Sequence, residues 1–183
     1  TRFNFTNSFN NIPTAVNLGN IGGLSYPTGI YAINDNGAWR VFITNGGNRS
    51  RANGPWSLTR LDFGSSLLNV PTGVNLGNPG GLLKHPRDLT IIKFCGEITG
   101  FAMNGAIGSN DVVKIDFHNN LSGIPTLSTF GNIANSNFPH SISKIFRVGA
   151  DLYTFVTNVD NNTITRLRFA GCSNSSIPNS SLQ

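Results

Sequence analysis

Residues 59–78 read TRLDFGSSLLNVPTGVNLGN, and residues 1–20 read TRFNFTNSFNNIPTAVNLGN. Two stretches that agree this closely in one chain are an internal repeat, and a repeat outranks every other local signal in deciding a fold. The repeated phrase has a β character. In Leu58–Phe63, Leu61 and Phe63 share one face while Arg60 and Asp62 share the other, the two-residue period of a half-buried strand. The NVP and GN dipeptides that follow punctuate the chain as turns.

The same landmarks recur in the same order along the rest of the chain. A proline stands at Pro13, Pro71, Pro125 and Pro178, a spacing of about 54 residues. Gly-Asn follows at Gly19, Gly77 and Gly131, and a second proline at Pro27, Pro86 and Pro139 heads an aliphatic run. WRVFITN, ITGFAMN and LYTFVTN end at Asn45, Asn104 and Asn158; LTRLDF, VVKIDF and ITRLRF end at Phe63, Phe117 and Phe169. Each unit thus holds four short strand-like runs, and no stretch longer than two turns has helical periodicity. Four antiparallel strands in a unit of about 40–55 residues predict an all-β chain built as a β-propeller, each unit one blade.

Composition agrees. Charged residues are 11% of the 183, whereas the chain carries 21 Gly and 13 Phe, so turns and apolar core material are both plentiful. The net charge of +5 is mild and spread along the chain, with one basic knot at Asn48–Arg51 and no motif that reads nucleic acid. No run approaches the roughly 18 apolar residues of a membrane-spanning helix. The expected chain therefore binds no nucleic acid and does not insert into a membrane.

The order proline, aliphatic strand, turn, aromatic strand ending in Asn, strand ending in Phe resembles the NHL-type propeller repeat. The linkers LGNIGGLSYP and LGNPGGLLKHP carry that resemblance most clearly. The wording of residues 58–78 and 141–172 is also similar to propeller regions of large secreted Bacteroidetes surface proteins, the type IX secretion cargo associated with gliding and adhesion. That resemblance implies an extracellular, cell-surface setting.

With the strand phase of the NHL repeat, the innermost strand A covers 28–34, 87–94 and 140–146, and strand B covers 38–45, 98–104 and 151–158. Strand C covers 57–63, 111–117 and 163–169, and strand D covers 71–77 and 125–131. Residues 1–19 are then the last two strands of a preceding blade. Residues 20–77 and 78–131 are whole blades, and 132–183 is a blade lacking its outer strand. A propeller closes with at least four blades. The chain is expected to be a piece of a longer polypeptide, or to complete its ring with a second copy.

In this topology the D–A and B–C connections share one face. The candidate ligand residues on it are Tyr26, Arg49, Arg51, Trp56, His85, Arg87 and His140. Aromatic rings beside planar donors suit a sugar or an acidic polymer. Tyr26, His85 and Phe138 also read as equivalent residues that pack before each blade's proline. Asn45, Asn104 and Asn158 are expected in turns, where Asn tolerates a left-handed backbone. Arg60, Lys114 and Arg166 are expected to be solvated or to pair between blades.

Catalytic and metal readings find little support. His85, His118 and His140 lack ligand spacing, Glu97 is the only glutamate, and neither a nucleophile elbow nor a P-loop is present. No catalytic residue, metal or cofactor is expected. Cys95 and Cys172 fall on the same face, so a bridge between blades is expected, with two buried free thiols as the alternative. The bridge would close a loop of about 77 residues and contribute about 4 kcal/mol. The resulting expectation is a non-enzymatic extracellular scaffold or adhesion module. A lectin-like propeller completed by oligomerisation is the first alternative, and a lactonase-type hydrolase the second.

Overall fold

The computed structural model describes residues 1–48 and 54–171. The chain is all-β. Strands β1 (Arg2–Asn4) and β2 (Thr14–Val16) form a two-stranded antiparallel ribbon. The first four-stranded sheet follows in simple order: β3 (Pro27–Asp35), β4 (Ala38–Asn45), β5 (Ser57–Gly64) and β6 (Thr72–Gly77). The second repeats it with β7 (Pro86–Phe94), β8 (Glu97–Asn104), β9 (Val112–Asp116) and β10 (Thr126–Thr129). In the third, β11 (Pro139–Ile142) and β12 (Phe146–Val148) both pair with β13 (Asp151–Asn158), which pairs with β14 (Thr163–Phe169).

Short connections make these meanders. Asn36–Gly37 and Cys95–Gly96 are two-residue hairpin loops with both residues at positive φ, the geometry whose twist matches that of the flanking strands. The inner strand of the third sheet departs from the continuous strand expected over 140–146. Its register passes from Ile142↔Val156 to Phe146↔Tyr153, one residue longer on the inner side. The Ser143 hydroxyl accepts the Phe155 N–H at 3.1 Å, doing the work of a ladder carbonyl while the extra residue bulges out.

The three sheets stand side by side through their first strands: β3 packs beside β7, and β7 beside β11. A Cβ on Gly29 would lie 2.5 Å from the Asp88 Cα, so only glycine lets the first two inner strands approach this closely. This is a propeller-like arrangement, although the described residues form no closed ring.

The apolar cores lie between sheets. Val41, Leu61 and Phe63 face Leu18, Ile21 and Leu24, which lead in from the ribbon. Phe42 and Leu58 of the first sheet meet Ile115, Phe117 and Leu121 of the second. Phe101 and Met103 of the second sheet meet Leu167 and Phe169 of the third. The aromatic pairs recur in register. The Phe42 and Phe117 rings lie 4.9 Å apart and the Phe101 and Phe169 rings 4.7 Å, each joining the second strand of one sheet to the end of the third strand of the next.

A basic residue closes the outer edge of these interfaces. Nη1 of Arg60 donates to the carbonyls of Leu121 and Ser122 in the β9–β10 turn, while its Nε pairs with Asp62 at 2.9 Å. Arg2, at the matching place in the ribbon, donates to the Leu67 carbonyl in the β5–β6 turn at 2.8 Å. The strand-C basic position thus acts between sheets at both places.

Candidate functional site

Each inner strand begins the same way. A residue with positive φ (Tyr26 at 50°, His85 at 49°, Phe138 at 52°) precedes a proline, and the residue after the proline is skipped by the ladder. Left-handed backbone is uncommon for bulky residues, and a following proline favours extended backbone instead. Such strain persists where its surroundings over-determine it. Here the carbonyls of Tyr26, His85 and Phe138 accept the N–H groups of Gly46, Gly105 and Val159, which follow the second strand of each sheet. This pairing joins the D–A linker to the B–C loop on one face of every sheet.

Of three buried asparagines at the ends of the second strands, two anchor the same junction. Asn45 accepts the Ser25 N–H through Oδ1 at 3.1 Å and donates through Nδ2 to the hydroxyls of Ser57 and Thr59, each at 3.0 Å. Asn104 accepts the Lys84 N–H at 2.9 Å and donates to the Leu82 carbonyl at 2.8 Å. Asn158 donates to the hydroxyls of Thr163 and Thr165. None of the three has positive φ. The left-handed backbone expected at these positions is therefore corrected, while the bonding to backbone is seen: Asn45 and Asn104 each accept and donate at once, and Asn158 donates only, its Oδ1 buried without a partner among the described residues.

The skipped residues are bulges, which re-aim a side chain out of the ladder. They are Thr28, Arg87 and His140. Arg87 Nη1 donates to His85 Nε2 at 2.9 Å and Nη2 to His140 Nε2 at 2.6 Å. Arginine has donors only, so both imidazole Nε2 atoms accept, and His85 then donates through Nδ1 to the Gly46 carbonyl at 2.9 Å. The Arg87 guanidinium also lies over the Phe138 ring, 5.0 Å from its centroid, and Tyr26 stacks on His85 at 6.0 Å. Tyr26, His85, Arg87, Phe138 and His140 form one row across all three sheets.

Two glycines make room for the row. A Cβ on Gly46 would stand 3.1–3.2 Å from Tyr26 and His85, and one on Gly105 would stand 2.7 Å from Arg87. The recurring Asn-Gly at 45–46 and 104–105 was the sequence signal for this, hidden because Asn-Gly also marks ordinary hairpin turns.

The expected ligand residues divide as follows. Tyr26, His85, Arg87 and His140 are brought together. Trp56 is half-buried and packs against the core between the first two sheets. Arg49 and Arg51 lie outside the described residues, as does Cys172. Cys95 occupies the β7–β8 turn at positive φ, and no free thiol occurs among the described residues. Among those residues no three His, Cys, Asp or Glu side chains gather into a group that could hold a metal ion.

Beneath the row, Asp88 accepts the backbone N–H groups of Leu89 and Ile142 at 2.9 and 3.0 Å, tying β7 to β11. Burial raises its pKa above the usual carboxylate value, partly opposed by these two bonds and by His140. The His140 pKa is lowered, first by burial and then by the Arg87 charge, with Asp88 opposing. An imidazole held below 6.5 in the native state protonates first in the unfolded chain, so stability is lost as pH falls through 6.5. Native protonation also removes the acceptor that Arg87 uses. Urea unfolding at pH 7.5 and pH 5.5 should show a larger loss on acidification for the wild type than for His140→Gln, which keeps an acceptor and does not titrate.

No family model matches this chain, and no curated protein matches it.

Proposed function

We propose that this chain is a non-enzymatic, extracellular β-propeller region of the NHL-like kind, acting as a scaffold and binding module of a secreted cell-surface protein. The observation that carries this reading is the threefold recurrence of one unit, whose inner strands lie side by side and whose linkers gather on one face. Such a body is rigid, because its cores lie between sheets, and it presents equivalent loops in a row. The surface setting, of the type associated with type IX secretion, gliding and adhesion, rests on the wording of residues 58–78 and 141–172.

The row itself supports a glycan as ligand. Tyr26, 41% exposed, offers ring surface to the apolar side of a sugar, and the Arg87 guanidinium, held by both imidazoles over the Phe138 ring, places positive charge in the row that attracts a carboxylate. The imidazoles of His85 and His140 hold that guanidinium from two sides, so little side-chain entropy is lost on binding. A glycan array covering neutral and acidic polysaccharides tests this. Saturable binding to acidic glycans is expected, weakened about 10-fold or more in Arg87→Ala with far-UV circular dichroism unchanged. Binding untouched by that substitution would remove the row from the site. Hydrolysis of lactones that stops on chelation of divalent metal would overturn the non-enzymatic reading altogether.

A further inference from the structure

The repeat permits a comparison that a non-repetitive fold does not: the same position seen with and without a neighbouring sheet. Phe42, Phe101 and Phe155 are equivalent residues of the second strand. The first two are 0% and 1% exposed because each meets the third strand of the next sheet, whereas Phe155 is 43% exposed. Leu58, Val112 and Ile164 repeat the pattern on the third strand at 0%, 3% and 71%. Arg166, equivalent to the buried Arg60, is exposed as well. The far side of the third sheet thus exposes the positions that the other two sheets bury against a neighbour.

The other half is displayed at the opposite end of the molecule. Phe3 of the ribbon is equivalent to Leu61, Ile115 and Leu167, which face the preceding sheet at 6%, 0% and 1% exposure; Phe3 is 61% exposed. Phe9, in the β1–β2 turn, is equivalent to Leu121, whose carbonyl Arg60 grips. Phe9 is 90% exposed where Leu121 is 1%. One end carries the face that a following sheet covers, and the other carries the face that a preceding sheet covers.

We propose that these two faces bind each other between copies, so that the chain self-associates head to tail with Phe3 and Phe9 of one copy on Phe155, Ile164 and Arg166 of the next. The occupant proposed is a second copy, because the two faces reproduce, position for position, the two interfaces already formed inside the chain; further units of the same polypeptide are the competing occupant, and a chain that stays single in the test below would favour them. Stacked aromatic rings fill the centre, and Arg166 takes the carbonyls of the partner's β1–β2 turn as Arg60 takes those of the β9–β10 turn. Such an interface is heterologous, and it closes into a ring if the rotation per copy allows. Two copies bring six four-stranded sheets and two ribbons, within the range of four to eight blades in which propellers close. The inference rests on the propeller reading above but not on any ligand.

Light scattering coupled to size exclusion, from micromolar to millimolar chain, tests it. The expected particle has twice the 19.6 kDa mass of the chain. Phe155→Asp alone and Phe3→Asp alone should each give the single-chain mass, and mixing the two variants should restore the doubled mass, because one intact interface remains between them. Both positions are exposed, so circular dichroism should be unchanged; Ile164→Glu gives a second variant on the same face. A wild-type chain that stays single at every concentration overturns the proposal, as does a doubled mass that persists in both variants. The propeller reading would survive that outcome, since it is tested separately by the buried equivalents Phe101 and Arg60.

Discussion

Phe101→Ala is expected to destabilise the fold by about 3–5 kcal/mol, read as a drop in the urea midpoint with little change in slope. The ring is almost wholly buried, stacks on Phe169 and also approaches Phe130 in a stacked arrangement. Its loss opens a cavity between two sheets that are built from separate hairpins and cannot collapse onto each other without moving both. Phe155→Ala provides the internal control, because it removes the same atoms from the same repeat position. On the dilute single chain it should change stability by no more than about 0.5 kcal/mol, as expected for an exposed residue. Equal effects of the two substitutions would mean that the sheets do not pack as described. The experiment therefore tests the sheet-to-sheet architecture and not merely the importance of one phenylalanine.

Arg60→Ala is expected to cost about 2–3 kcal/mol. Its guanidinium is nearly buried, donates to carbonyls of the β9–β10 turn and pairs with Asp62. Truncation leaves those carbonyls without their donor and Asp62 without its nearest cation, so the loss includes the desolvation of what remains. Arg166→Ala, at the equivalent but exposed position, should stay within about 0.5 kcal/mol on the single chain. A lysine at position 60 is not a fair substitute: it keeps the charge but cannot place donors on Asp62 and two carbonyls at once. Amide exchange in the β9–β10 turn should accelerate in Arg60→Ala before the sheets themselves open, because the turn is held from outside its own hairpin.

Much of the fold was legible in the repeat. The landmarks at Pro27, Pro86 and Pro139 stand at the first residue of β3, β7 and β11, and Asn45, Asn104 and Asn158 stand at the last residue of β4, β8 and β13. These boundaries were readable because they are made by residues with restricted backbones or by abrupt ends of alternation, both of which are local. The break at Ser143 was not readable. A serine hydroxyl that substitutes for a ladder carbonyl depends on which strand lies opposite, and alternation within one strand does not report that.

The candidate site was legible only as a set of positions. Loop order placed Tyr26, His85, Arg87 and His140 on one face, but their union into a single row depends on the bulges after each proline. Those bulges turn Arg87 sideways onto two imidazoles from different units. The glycines at 46 and 105 that admit the row carry no side chain and so left no chemical trace beyond their recurrence. The asparagine clamps were misread for a related reason: asparagine is favoured both in left-handed turns and where a buried amide must bond twice, and only the surroundings distinguish the two.

By itself, then, the sequence determined the unit, its strand order and the residue types at each unit's corners, because periodicity, proline and glycine act over a few bonds. Packing decided which face of each sheet meets a neighbour, that Arg2 and Arg60 bridge those meetings, and that Asn45 and Asn104 tie linker to loop within their own sheets. The physical reason is that a sheet's burial is set by what packs against it, and equivalent phenylalanines with identical local sequence roles are buried or exposed according to whether another sheet stands there.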